Sequence, residues 1–476
     1  MSYYKMVCPY CLNECDNESV LFYGKTSVKA DLSGYFGNEN KISENNSSED
    51  NWFDANSSDA WLDGASDYSS EIDEDVKKLP DEFTLNECEK ISAKVEPLWT
   101  KVETAKSDNT VLQGDLLTGV SYVDPEDGQM KRATERICPH CHKTLPKKSG
   151  TMPTYMTTLI GHTSAGKTVY LTSFFRKVIM GESFSFGRGG SYGTLRFSSI
   201  KYGNNILADL AHSLCEDGIL PQTTQDVFSE PIVFQVDYEY NTGKKAAKKS
   251  CLMVFIDMKG ESDEADMEKR LPIYLKADGY FFMGDTAAIS SVARCAGKTV
   301  DTRGNMRMVE LFEESIIPHM DNGKVNAPSV LMLTKADLLY KYRRELNFPR
   351  SNAIVNPNII RSYDKNYFGL VNNHVMQFLN AYARELEYFV RNNFDDCYVT
   401  FSSALGDVVQ ISDDGRISDP RLIRPVNIYE PLIYILMRIG FIPPFIDYDF
   451  INTDNKYQKN LFDEHEKWVD KNCIFW

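Results

Sequence analysis

The chain has 476 residues, and its 68 acidic side chains outnumber 52 lysines and arginines, for a net charge of −16. That balance disfavours generic adhesion to nucleic acid or to an anionic membrane surface, both of which repel it. With 42% hydrophobic and 25% charged residues, the chain has material for a sizeable core in two or three domains.

Cys8-Pro9-Tyr10-Cys11 stands near the beginning, and Cys138-Pro139-His140-Cys141 follows far downstream. Each C-P-x-C is a tight turn that aims two thiolates at one ion, and two such knuckles complete a tetrahedral four-cysteine zinc site. A long insertion between them is tolerable, because loop closure costs only about 0.6 kcal/mol per doubling of length. Cys15, His140 and His142 are rival ligands, and four free thiols are the alternative. A catalytic zinc is disfavoured, since four thiolates leave no open coordination position. Cys251 and Cys397 lie inside apolar runs, which suits a reducing compartment better than a disulfide framework.

Residues 1–35 and 130–150 are therefore read as two halves of a zinc ribbon, and 36–129 as an acidic, largely disordered insertion. From Asn38 to Val76 the chain is dominated by Asn, Ser, Asp and Glu, too polar to offset chain entropy by burial. Trp52, Phe53, Trp61 and Tyr68 punctuate it, so the stretch is either a solvated linker or a partner-binding segment. Ser19 to Tyr23 and Val111 to Val123 are expected to add small strands. No internal repeat is evident.

Tyr155 to Ile160 is a β-rich apolar run that enters Gly161-His162-Thr163-Ser164-Ala165-Gly166-Lys167-Thr168, and Val169 to Ile179 reads as a helix. Strand, G-x-x-x-x-G-K-T loop and helix together make the context of a phosphate-binding loop. The two glycines let backbone N–H groups face phosphate oxygens, and the helix N-terminus adds its positive dipole end. Lys167 would reach the β- and γ-phosphates, and the Thr168 hydroxyl would ligate Mg²⁺. A bound nucleoside triphosphate is the expectation.

Further on, Pro231 to Tyr238 and Cys251 to Asp257 alternate as strands around a turn-rich basic tip, predicting a hairpin. Asp278 to Met283, Pro328 to Leu333 and Cys397 to Phe401 read as three more strands. Helices separate them, including a face made by Val375, Leu379, Tyr382, Leu386 and Phe389. Residues 151–442 thus form an α/β domain with a mainly parallel sheet and one antiparallel strand, and 443–476 a C-terminal extension. The apolar stretch 428–446 contains Glu430, Arg438 and a Pro-Pro pair, which argues against a membrane span. Met1 to Val7 shows no long apolar region, so no secretory leader is expected there. The expected location is cytoplasmic.

Three more elements stand at the carboxyl ends of these strands, where open α/β sheets hold ligands. Asp257-Met258-Lys259-Gly260 offers a carboxylate for the Mg²⁺ shell and, at Gly260, an N–H for a γ-phosphate. Thr334-Lys335-Ala336-Asp337 offers a carboxylate that can accept from both N1–H and the exocyclic amine of guanine. Ser402-Ser403-Ala404-Leu405 offers the Ala404 N–H to guanine O6. Each element alone also reads as an ordinary turn or cap.

Together these motifs resemble the phosphate-loop, magnesium, guanine-specificity and base-backing elements of TRAFAC-class P-loop GTPases. The C-P-x-C knuckles ahead of them resemble the bacterial double-GTPase family, whose members occur in pairs and are associated with conflict or defence gene clusters. The GTPase resemblance covers roughly two-thirds of the chain. It implies a Ras-like fold, GTP or GDP with Mg²⁺ as cofactors, and a second GTPase or an effector as partner. It also implies the nucleotide-binding residues Gly161 to Thr168, Asp257, Thr334, Lys335, Asp337, Ser403, Ala404 and Leu405.

The sequence departs from the pattern in three places. The interval from Lys167 to Asp257 is long, so added structure is expected between Phe184 and Glu230. The threonine that completes the Mg²⁺ shell with Thr168 and Asp257 is not marked by a motif; Thr224 is the first choice and Thr223 the second. Glu261 stands where a water-orienting glutamine follows the aspartate motif. Its carboxylate can accept a water proton but also repels a γ-phosphate, or it is simply a surface acid. The catalytic set is thus Lys167, Thr224, Gly260 and Glu261, with hydrolysis expected to be slow or partner-dependent. Two other readings fit the same residues: an ATPase that carries T-K-A-D, and a zinc-bearing adaptor that binds nucleotide without turning it over.

Overall fold

The computed structural model describes residues 4–16, 19–23, 99–101, 110–113, 116–123, 129–186, 193–200, 205–221, 231–241, 246–257, 271–297, 301–348, 365–406, 409–412, 415–442 and 474–475. Most of the 36–129 insertion and nearly all of the 443–476 extension lie outside them. The chain divides into two compact units, Asp16–Leu145 and a larger one made of Met1–Cys15 with Pro146–Trp476. The larger unit begins with the short antiparallel pair β1 (Met6–Val7) and β2 (Glu14–Cys15).

The smaller unit is all β among its described residues. It contains β3 (Leu21–Tyr23), β4 (Trp99–Lys101), β5 (Thr110–Gln113), β6 (Leu116–Val123), β7 (Met130–Ala133) and β8 (Arg136–Ile137). Two antiparallel three-stranded sheets result, ordered β4-β3-β8 and β5-β6-β7. The small strands expected near Ser19 to Tyr23 and Val111 to Val123 are present.

In the larger unit, β9 (Thr154–Ile160) runs into α1 (Lys167–Ile179), followed by β10 (Ser183–Phe186), β11 (Gly193–Ser199) and α2 (Asn205–His212). The hairpin β12 (Ile232–Asn241) and β13 (Ala246–Asp257) comes next, then β14 (Gly279–Asp285), α3 (Ser290–Cys295) and α4 (Gly304–Ser315). β15 (Ser329–Thr334), α5 (Asp337–Lys341), α6 (Lys365–Tyr382), α7 (Arg384–Asn393), β16 (Cys397–Phe401), α8 (Glu430–Arg438) and β17 (Ile474–Phe475) complete it. One nine-stranded sheet is ordered β10-β11-β12-β13-β9-β14-β15-β16, with β17 also on β13. β13, β9, β14, β15 and β16 are mutually parallel.

The expectation of a single antiparallel strand is corrected. β10, β11 and β12 form an antiparallel meander, and β17 pairs antiparallel with β13. The long interval after Lys167 is the physical reason: it holds two extra period-two runs, of which Gly193–Ser199 alternates buried and part-buried residues.

Every residue of β14 and β15 is buried, as required of central strands covered on both faces. Alternation along β14 sorts its rings between two helical layers. Phe281 meets Phe255, which meets Phe174 of α1. Phe282 faces the other way, 4.9 Å from the Phe312 ring of α4 and 5.1 Å from Phe389 of α7. The 375–389 apolar face is carried by two helices rather than one. Ala383, at φ −150° and ψ 63°, breaks α6 from α7, yet Val375, Leu379, Leu386 and Phe389 all remain buried.

Candidate functional site

The loop after β9 takes its shape from its glycines. A Cβ on Gly161 would lie 2.9 Å from the Met283 carbonyl oxygen and 3.1 Å from its Cβ, so only glycine lets the chain leave β9 so close to β14. Gly166 has φ 89° and Ser164 has φ 71°, two left-handed positions that turn the loop back to the helix. α1 then starts without a side-chain cap and without an acidic residue in its first turn. Its N-terminus therefore presents the positive end of the dipole toward the loop, with no acidic residue of its own first turn to offset it. Lys167, at that end and buried, donates to the Gly161 carbonyl oxygen at 2.7 Å and to that of His162 at 3.4 Å. Thr168 follows in the first turn, also buried.

Neighbouring strands bring other predicted residues to the same end of the sheet. Asp257, the last residue of β13, is in register with Leu159 of β9. Gly260, Glu261, Thr224 and Thr223 lie outside the described residues. Beyond β15, Thr334 Oγ1 donates to the Ala165 carbonyl at 2.7 Å and to that of Gly284 at 3.2 Å. This ties the T-K-A-D segment directly to the glycine loop. The Ala336 N–H bonds the Ser402 carbonyl, and Ser403 Oγ donates to Asp337 Oδ1 at 2.8 Å while accepting from the Gly406 N–H. The loop after β16, with Ala404 and Leu405 half-buried, is thereby joined to Asp337. Asp337 is the first residue of α5, whose N-cap position belongs to Ala336 and carries no side-chain cap bond. A capping role does not account for it.

Sequence reasoning missed Asp285, the final residue of β14 and 1% exposed. Its Oδ1 accepts the Ala287 N–H at 2.8 Å and its Oδ2 accepts from Lys335 Nζ at 2.7 Å. The Asn305 side chain holds both the N–H and the C=O of Asp285, at 2.8 and 3.0 Å. His162 Nε2 is 3.7 Å from Oδ2, and Gly304 lies flat against the His162 ring, where any Cβ would sit 2.4–2.7 Å away. Burial pushes the His162 pKa below its ordinary value; Asp285 opposes the shift, while Lys335 and Lys167 add to it. His162 is therefore neutral at neutral pH. The signal available in the sequence was an aspartate closing an otherwise apolar strand, at the level where the other motifs stand.

The two C-P-x-C knuckles share one local geometry. The Cys8 N–H bonds the Asn13 carbonyl and the Leu12 N–H bonds that of Cys8; Cys138, Lys143 and His142 repeat both bonds at 2.9 and 3.0 Å. Leu12 and His142 take φ 60° and 58° at the same position. The repeated C-P-x-C pattern is thus matched by a repeated backbone turn. The Sγ atoms of Cys8, Cys11, Cys138 and Cys141 all lie within 4.8 Å of one another. Asn13 Nδ2 donates to Cys11 Sγ and the His140 N–H to Cys138 Sγ, the polarity expected around thiolates. Among the described residues, Cys15, His140 and His142 do not join this cluster. The donor set fits a tetrahedral ion that favours sulfur. No helix among the described residues is long and apolar enough to cross a membrane. In comparison with known proteins, no family model and no curated protein matches this chain.

Proposed function

We propose that this chain is a GTP-binding and GTP-hydrolysing switch of the TRAFAC P-loop type. The observation that carries the reading is the hydrogen bond from Thr334 Oγ1 to the Ala165 carbonyl. It couples a glycine loop suited to phosphate with a carboxylate-bearing loop suited to guanine, and a base and its phosphates must be held together in this way. Lys167 serves the β- and γ-phosphates, and Asp337 takes the N1–H and N2–H of guanine, backed by Ser403 and the Ala404 N–H. Thr168, Asp257 and Thr224 would hold Mg²⁺, which neutralises charge developing on the phosphates. Gly260 would offer its N–H to the γ-phosphate, and Glu261 would face the attacking water, making turnover slow or dependent on a partner.

Cys8, Cys11, Cys138 and Cys141 hold one structural Zn²⁺ in this reading. The knuckles ahead of the nucleotide domain favour kinship with the bacterial double-GTPase family, hence a second GTPase or an effector as partner, in the cytoplasm. The deciding experiment is to identify by mass the nucleotide that co-purifies, then to measure single-turnover phosphate release. Guanine nucleotide and release support the switch. Adenine nucleotide supports an ATPase, and guanine nucleotide without release supports a nucleotide-binding adaptor.

A further inference from the structure

Asp285 lies between two loops that the proposed function needs in one alignment, and no motif accounts for it. β14 runs between β9 and β15, with Phe282 in register with Ile160 on one side and Asp285 with Thr334 on the other. The carboxylate at its end therefore stands between the start of the glycine loop and the start of the T-K-A-D loop. It is immobilised on all sides, by Asn305 on its backbone, by the Ala287 N–H on Oδ1, and by Lys335 on Oδ2. A carboxylate this buried is retained at a desolvation cost and is expected to have a paired function.

Lys335 is the more exposed partner. Its side chain is 37% exposed, and its backbone sits at φ 54°, a conformation seldom adopted by a long side chain. A lysine held by its ammonium presents its methylene stem as a fixed apolar strip, whereas an untethered one samples many rotamers. Lys335 is two residues from Asp337, so the direction of that strip bears on the place where Asp337 would receive a base. On its other side the same oxygen faces His162 of the glycine loop.

We infer that Asp285 is a positioning residue for guanine-nucleotide binding: by clamping Lys335 it fixes one wall of the base site and sets that wall against the phosphate loop. The inference rests on the guanine-nucleotide reading above. It differs from a purely structural role because its effect passes through Lys335.

The test is a double-mutant cycle on GTP and ATP affinity in the full-length protein, with Asp285→Asn, Lys335→Met and the pair. Asp285→Asn is expected to weaken GTP about tenfold and to lower the GTP-to-ATP preference in parallel. In the Lys335→Met background the same change is expected to cost less than about twofold, because the clamp has nothing left to hold. Asp285→Ser still accepts the Ala287 N–H and leaves Lys335 untethered, so it serves the same arm if the asparagine variant is not recovered folded. Losses that multiply in the double variant, or unchanged GTP affinity and base preference in the folded single variant, overturn the inference while leaving GTP binding intact. A wild-type protein that binds neither nucleotide overturns the functional reading, and this inference falls with it.

Discussion

Replacing Asp337 by asparagine separates base recognition from structural support, because the two make predictions of very different size. The change is isosteric, and asparagine Oδ1 can still accept from Ser403 Oγ, now 2.8 Å from the Asp337 carboxylate. The stability loss is therefore expected to stay below about 1 kcal/mol, the typical net worth of one hydrogen bond. Position also matters: Asp337 opens α5 behind Ala336, so no cap is removed. With Ser403 holding the carbonyl oxygen, the amide nitrogen faces outward as a donor. A donor there opposes the exocyclic amine of guanine and suits the C2 carbonyl of xanthine. Sites built to hydrogen-bond a group reject the mismatched analogue by ~10⁴, or about 5.5 kcal/mol. Competition binding of guanosine and xanthosine triphosphates, run beside a thermal melt, measures both quantities. GTP affinity should collapse, xanthosine triphosphate affinity should rise, and the melt should barely move. Unchanged GTP affinity with no gain for xanthine would refute guanine recognition at Asp337 and return the ATPase reading to first place.

Lys167→Ala should abolish triphosphate binding and leave the circular dichroism spectrum unchanged, since its ammonium bonds the loop carbonyls of Gly161 and His162 rather than filling the apolar core; retained GTP affinity in a titration would remove the phosphate assignment. Cys8→Ser and Cys138→Ser should each lose the metal ion in elemental analysis, and full occupancy in either would show that the knuckles do not share a site. Burial raises the Glu430 pKa, so its neutral form favours the fold below the unfolded value of 4.5, and that stability is lost as pH rises through the raised value. Glu430→Gln should therefore gain melting temperature over wild type progressively above pH 4.5, and a difference that is flat from pH 4 to 8 would contradict the assignment.

Strands with continuous apolar runs were legible because burial on both faces leaves nothing to interpret. Asp257, Thr334 and Ser402 each close or follow such a strand, and the structure brings their segments to one end of the sheet. Less was legible where the pattern was short or mixed. Ser183–Phe186 offers only two apolar positions, and Ala246–Ser250 reads as part of a basic turn because Lys248 and Lys249 interrupt it. The break at Ala383 carries no glycine or proline to announce it. Glu430 reads as a charge that spoils a membrane span, yet it is fully buried. Its partners Tyr367, Tyr398 and Thr400 come from α6 and β16, contacts that no local period encodes. Asp285 escaped notice for the same reason, since its meaning depends on Lys335 and Asn305, 50 and 20 residues away.

The place of β9 in the sheet governs how the molecule can open. A loop on an edge strand can fray alone, but β9 is laddered to β13 on one side and to β14 on the other. Releasing the glycine loop from its base means parting both ladders and the Thr334 contact with Ala165. Local unfolding of the loop anchor therefore approaches the free energy of unfolding the whole sheet. Amides of Thr154–Ile160 should exchange with deuterium among the slowest in the chain, and a ligand gripped by this loop would slow exchange across the sheet rather than in one segment.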